Sequence, residues 1–180
     1  MNTLRLEIIN QHAPYMVKKN PHAQNSYLFK TDSQTEFIVS LQENCSIVPS
    51  GTYEFSINNP KHERSPLDPK LRNTIFAIIE EFFMVNGEEA MLYLAETGDG
   101  KQSFRNRLFI RWFNSYEHRE EYFIKTAEGM MDGQMNFIAI FSRRHNPRLA
   151  EVIEEFNETI SFLFDSPEDN LVIDRLFPEA

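Results

Sequence analysis

The chain has 180 residues and a net charge of −9 at pH 7, with 41% hydrophobic and 25% charged residues. This length favours one domain, because domain sizes cluster near about 100–150 residues. Aromatic residues make up 13% of the chain, which excludes global disorder. No apolar run approaches the roughly 20 residues that span a bilayer, and the chain has a single cysteine, Cys45. We therefore expect a cytoplasmic protein without a disulfide.

The first 25 residues are polar and contain two prolines, which predicts an irregular N-terminal segment. Within this segment Leu4, Leu6 and Ile8 alternate with other residues, a pattern compatible with a short strand over residues 4–9.

Three half-buried strands are predicted next, because apolar residues alternate with polar ones in three successive runs. Turn residues separate the runs at 32–34 and 49–51. The alternating apolar residues are Tyr27, Phe29, Phe37, Val39, Leu41, Tyr53, Phe55 and Ile57. Successive strands of this kind indicate an antiparallel meander.

A helix is predicted from Asp68 and Pro69, which suit the N-cap and the first helical position. Asn86 and Gly87 predict its end. The apolar run Met91–Ala95 then predicts a strand buried on both faces, and a second helix is expected over residues 101–114.

Two more strands are predicted around Tyr122–Ile124 and Met135–Phe141, and Asn146 with Pro147 predicts the start of a third helix. The expected fold is a single α+β domain over residues 26–165. It has about six strands in a mixed or mainly antiparallel sheet and three helices, in the order βββ-α-β-α-ββ-α. Residues 166–180 form an acidic tail, and its apolar residues predict that it is docked.

Catalytic and cofactor signatures are absent from the sequence. The glycine-rich stretch 98–101 lacks the spacing of a phosphate-binding loop, and no two of the five histidines are three or four residues apart. We predict no catalytic residue, no metal site and no cofactor.

The second predicted helix combines an aromatic arc with arginines. Helical spacing places Phe104, Leu108, Phe109, Trp112 and Phe113 in one apolar arc, and it places Arg105 near the middle of that arc. A guanidinium directed at a core needs a partner. We expect a structural pair between Arg105 and either Glu96 or Asp99. The alternative is that Arg105 forms an anion receptor.

Positive charge is concentrated in residues 101–148, which carry nine basic and five acidic side chains. The rest of the chain has a net charge of −13. Arginine suits two-point contacts with carboxylate or phosphate. The candidate anion- or ligand-binding residues are Arg105, Arg107, Arg111, Arg143 and Arg144. The alternative is that this basic block meets the acidic segment after Leu149.

Three sequence features occur together in this chain: Thr74-Ile75 at the start of an aromatic-rich helix, the hairpin Tyr27–Val39, and an arginine-aromatic helix. The helix motif consists of Asp99, Arg105, Arg107, Phe109, Trp112 and Phe113. In these features the chain resembles a family of small bacterial proteins classed as a domain of unknown function. The resemblance covers about residues 25–160 and implies a bacterial, cytosolic protein without indicating an activity.

These observations predict a non-catalytic binding or accessory module with an arginine-rich surface for an anion or a protein. The alternative is an enzyme that acts on a phosphorylated small molecule, a nucleotide or a nucleic acid. The expected partner is a protein or a small anionic ligand, with no membrane, and a homo-oligomer is a further possibility. Duplex nucleic acid is not expected, because a net charge of −9 opposes phosphate binding.

Overall fold

A computed structural model describes residues 1–61, 68–95, 100, 102–131 and 133–164. These residues form an α+β fold with a mixed sheet of seven strands in the order β1-β2-β3-β4-β5-β7-β6. The strands are β1 (Lys18–Lys19), β2 (Ser26–Lys30), β3 (Glu36–Asn44), β4 (Thr52–Asn58), β5 (Ala90–Leu94), β6 (Tyr122–Met131) and β7 (Gln134–Arg143). The helices are α1 (Leu6–His12), α2 (Pro69–Val85), α3 (Gln102–Asn114) and α4 (Leu149–Leu163). A 3₁₀ turn, Arg119–Glu121, precedes β6.

The predicted α+β class is confirmed, and the predicted order βββ-α-β-α-ββ-α is present as β2 through α4. The described residues contain seven strands and four helices instead of about six and three, because the first 25 residues are not irregular. They hold both α1 and β1. The strand interpretation of residues 4–9 is wrong, since the segment is helical from Leu6. Leu4, which precedes α1, and Ile9, which lies within it, are both buried.

Contacts divide the chain into two compact units. The first consists of residues 1–42 and 55–87. Its strands β1, β2 and β3 pair antiparallel, and the rings of Tyr15, Phe29 and Phe37 stack in sequence with centroids 6.2 and 5.8 Å apart. Helix α1 packs on α2.

Helix α2 begins and ends where the sequence predicts. The carboxylate of Asp68 accepts a hydrogen bond from the backbone N–H of Lys70 at 2.9 Å, and Pro69 is the first helical residue. The helix ends at Val85, with Asn86 as its C-cap.

The second unit consists of residues 43–54 and the chain from Glu88 onward. Strand β7 pairs antiparallel with both β5 and β6, and helices pack on opposite faces of these strands. Side chains alternate between the faces of a strand. Ile138 and Ile140 of β7 pack in the cluster that contains Val152 and Phe156 of α4, whereas Phe141 contacts α3.

Helix α4 begins later than predicted. Residues 147 and 148 form a turn, and the helix starts at Leu149. The side chain of Asn146 nevertheless organises this entry, because its Oδ1 accepts from the backbone N–H of Arg148 at 2.8 Å.

The extent of the predicted domain over residues 26–165 and the docking of residues 166–180 stay predictions. The tail lies outside the described residues.

Candidate functional site

Helix α3 is anchored to its sheet by Phe109. The ring of Phe109 stacks on Tyr93 of β5, with centroids 4.2 Å apart, and lies 5.8 Å from Phe141 of β7. Phe109 and Phe113 are the buried residues of the helix. These contacts determine which side of α3 faces solvent.

Part of the predicted apolar arc on α3 is wrong. Phe104 is 57% exposed, although Phe109 and Phe113 are buried as expected, and Leu108 and Trp112 are half-buried. Phe104 lies about 140° around the helix from Phe109, since successive residues turn by about 100°. Once Phe109 packs on the sheet, Phe104 points away from it.

Arg105 lies on the inner side of α3, one turn before Phe109, and is half-buried. It is close enough to Tyr93 for its charge to act on the phenol: burial raises the pKa of Tyr93 to about 12, and Arg105 opposes that rise. The expected partners of Arg105, Glu96 and Asp99, lie outside the described residues, so that pairing stays a prediction.

Arg107 and Arg111 lie one turn apart on the solvent side of α3, and both are exposed. Within the described ranges, neither guanidinium has a carboxylate at ion-pair distance. Phe104 precedes Arg107 by three residues, so the three side chains form one stripe. We call Phe104, Arg107 and Arg111 the basic stripe.

Arg143 is held at the end of β7. It pairs with the carboxylate of Glu121, and its guanidinium lies 4.7 Å from the ring centroid of Tyr122. His118 Nδ1 lies 3.6 Å from the other oxygen of the same carboxylate. The guanidinium of Arg143 is therefore engaged with the segment that leads into β6.

Arg144 is also bound to that segment. Its Nε donates to the backbone carbonyl of Glu120 at 2.8 Å, and its backbone N–H donates to the carbonyl of Glu121 at 2.9 Å. The five predicted arginines therefore have three different environments. Arg107 and Arg111 share an exposed helix face, Arg105 is half-buried, and Arg143 and Arg144 contact the 3₁₀ turn.

The sequence reasoning missed Phe104 as a surface residue. The signal was available only as spacing: Phe104, Arg107 and Arg111 recur at i, i+3 and i+7, which places them on one helix face. An aromatic residue at such a position is more often assigned to a core, and its exposure depends on how the helix is rotated.

Among the described residues, no group of three histidine, cysteine, aspartate or glutamate side chains could hold a metal ion. In the same part of the chain, no helix has the length and apolar character needed to cross a membrane.

The protein therefore has an α+β fold, and its helix α3 exposes a basic, partly aromatic surface. The chain belongs to a family of unknown function (DUF6169), whose model matches residues 67–158. The match confirms the resemblance to a family of unknown function. It covers all five predicted arginines but not the hairpin Tyr27–Val39, so it is narrower than expected. No curated protein and no solved structure matches the chain.

Proposed function

We propose that this protein is a non-catalytic binding module that uses the basic stripe of α3 to hold an acidic segment of a partner protein. The observation that carries the proposal is the exposure of Arg107 and Arg111 one turn apart, without a carboxylate partner in the described chain, beside the exposed ring of Phe104. A bacterial source and a cytoplasmic location are part of the proposal and rest on the resemblance and the composition.

The chemistry of the stripe favours a carboxylate-rich protein segment. Arginine makes two-point hydrogen bonds to carboxylates, and an aromatic residue beside arginine is typical of protein interfaces. The stripe is also a local exception in a chain with a net charge of −9. An acidic partner is therefore attracted to this face and repelled by much of the remaining surface.

The alternative is an enzyme that acts on a phosphorylated or nucleic-acid substrate, with Arg105, Arg107, Arg111, Arg143 and Arg144 as anion contacts. Two of these contacts, Arg143 and Arg144, lie at the end of β7. Both side chains are engaged by the segment that contains Glu120 and Glu121. A substrate anion would have to displace those contacts, which favours the binding module.

The experiment uses a fluorescein-labelled peptide of glutamates around a central phenylalanine, with fluorescence anisotropy as the readout. Trp112, the single tryptophan, is next to Arg111 and provides a second signal. We expect binding that weakens with added salt and an affinity loss of about tenfold or more in the double variant Arg107→Gln, Arg111→Gln.

Lys18 and Lys19 supply the matched control, because both are exposed and their change to glutamine removes the same charge. This control should bind the peptide as the wild type does. Equal affinities for the arginine variant and the wild type would refute the proposal. Stabilisation by inorganic phosphate or nucleotides, with no peptide binding, would favour the enzyme.

A further inference from the structure

Helix α4 carries an acidic stripe on its outer face that ends in an exposed aromatic residue. Glu154 and Glu158 are exposed and have no cationic partner among the described residues. Phe162 follows one turn later and is 83% exposed. We call Glu154, Glu158 and Phe162 the acidic stripe. It matches the basic stripe of α3 in composition, with two charges of opposite sign and one phenylalanine.

The neighbouring glutamates of α4 are already engaged. Arg148 Nε lies 3.1 Å from a carboxylate oxygen of Glu151, and Glu155 accepts a hydrogen bond from the backbone N–H of Ser50 at 2.9 Å. Only the outer pair, Glu154 and Glu158, therefore has carboxylates available for a partner.

The two stripes also match in spacing. Arg107 and Arg111 lie three and seven residues after Phe104, which is about 4.5 and 10.5 Å along the helix axis. Glu158 and Glu154 lie four and eight residues before Phe162, which is about 6 and 12 Å. In an antiparallel arrangement with the two phenylalanines side by side, each arginine falls within about 1.5 Å axially of a glutamate.

The stripes cannot meet within one chain. Helix α3 packs on the sheet face that carries Tyr93 and Phe141, whereas α4 packs on the opposite face, with Leu92 and Ile140. The outer faces of the two helices therefore point in opposite directions, away from a shared sheet.

We infer that the basic stripe of one copy binds the acidic stripe of a second copy, so that the protein associates with itself head to tail. The inference rests on the proposed function and names its partner as another copy of this chain. Because the contacting surfaces are different and lie on opposite faces, a bound pair of copies leaves one basic stripe and one acidic stripe open. Association then continues past the dimer unless a ring closes.

The experiment measures the weight-average mass by sedimentation velocity over a concentration series at low and high salt. Exposed ion pairs are individually weak, so we expect association only at high protein concentration and its loss at high salt. Two charge-reversed proteins are compared with the wild type: Arg107→Glu with Arg111→Glu, and Glu154→Lys with Glu158→Lys. Circular dichroism verifies that both are folded.

Each reversed protein alone should remain monomeric, because both of its stripes then carry the same sign. An equimolar mixture should recover the mass of the wild type, since each reversed stripe meets a complementary one on the other protein. Reversal of Lys18 and Lys19 to glutamate is the matched control and should leave association unchanged.

A wild type that is monomeric at every concentration overturns the inference, as does a reversed protein that associates like the wild type, or a mixture that stays monomeric. These outcomes are separate from the proposed function. A monomeric wild type that still binds the glutamate peptide through Arg107 and Arg111 retains the binding module and loses only self-association.

Discussion

The guanidinium of Arg5 and the buried carboxylate of Glu81 form a two-point ion pair that joins the start of α1 to α2. Arg5 Nε lies 2.7 Å from Glu81 Oε1, and a terminal nitrogen lies 3.1 Å from Oε2. The backbone N–H of Arg5 donates to the same Oε1 at 3.0 Å. The side chain of Glu81 is 1% exposed, so the guanidinium of Arg5 is the counter-ion of a buried charge.

Replacing Arg5 by alanine leaves the carboxylate of Glu81 buried without its counter-ion, which is among the most destabilising changes in a protein. We expect Tm to fall by roughly 5–10 °C, as measured by circular dichroism. Arg107→Ala is the control, because it removes an exposed arginine without a described partner and should leave Tm nearly unchanged. Similar Tm values for the two variants would contradict the role given to Glu81.

Gly129 of β6 leaves room for the ring of Phe164, which follows α4. A Cβ atom at position 129 would lie closer to ring atoms Cγ, Cδ1 and Cδ2 than van der Waals contact allows. Gly129→Ala should therefore reduce the free energy of unfolding by about 1–3 kcal/mol, as measured by urea denaturation.

Phe164→Ala removes the overlap, so Gly129→Ala should cost much less in that background. Gly87→Ala is the matched control, because its new Cβ would approach only the Phe83 carbonyl at 3.6 Å. An equal cost of Gly129→Ala with and without the Phe164 ring would show that the overlap does not determine stability.

Tyr93 should make stability depend on alkaline pH, since burial raises its pKa to about 12 from an unfolded value near 10. The neutral phenol is favoured in the folded state. The contribution of this phenol to the free energy of unfolding is therefore complete below about pH 10, and it is lost as the pH rises through about 12. Between about pH 9.5 and 12, the wild type should lose about 2–3 kcal/mol more than Tyr93→Phe. If the free energies of unfolding of the wild type and Tyr93→Phe, measured by urea denaturation, change in parallel with pH, this expectation is wrong.

Arg105 should affect both the pKa of Tyr93 and the free energy of unfolding. Arg105→Gln removes the positive charge that opposes the rise, so the pKa of Tyr93 should increase further. Ultraviolet titration of the phenol, with Tyr93→Phe as the blank, measures the change. Arg107→Gln is the control and should leave this titration unchanged.

In unfolding experiments Arg105→Ala should cost more than about 1 kcal/mol and Arg107→Ala less than about 0.5. Equal, small losses at both positions would mean that the inner and outer sides of α3 have been assigned incorrectly.

Asn146 holds the entry of α4 through three hydrogen bonds. Its Nδ2 donates to Ser142 Oγ at 2.7 Å and to the Glu89 carbonyl at 3.1 Å, while its Oδ1 accepts from Arg148. Asn146→Ala should cost about 1–3 kcal/mol in urea denaturation, because buried polar groups lose their partners. Asn136→Ala, in the β6–β7 hairpin, should cost less than about 0.5. A reversed order of the two losses would contradict this assignment.

The sequence determined those elements whose signals are local. Asp68 and Pro69 predicted the start of α2 because an N-cap and a first-turn proline act on neighbouring backbone groups. The alternation that predicted β2 and β3 reflects the two faces of a strand. The spacing of Arg107 and Arg111, four residues apart in a predicted helix, likewise placed the two side chains one turn apart.

Contacts between residues far apart in the sequence decided the structure of the N-terminal segment. Leu4, Leu6 and Ile8 fit a strand period locally, but the segment from Leu6 is helical and is tied to Glu81, 76 positions away from Arg5. No local pattern contains that partner.

The tertiary structure also decided which surface the candidate site presents. Stacking of Phe109 on Tyr93 sets the rotation of α3 and leaves Phe104 in solvent. Arg143 and Arg144 are bound by Glu121 and Glu120, respectively, so they do not join the basic stripe. A sequence specifies which side chains can bind an anion, but their availability depends on groups that only folding brings within hydrogen-bond distance.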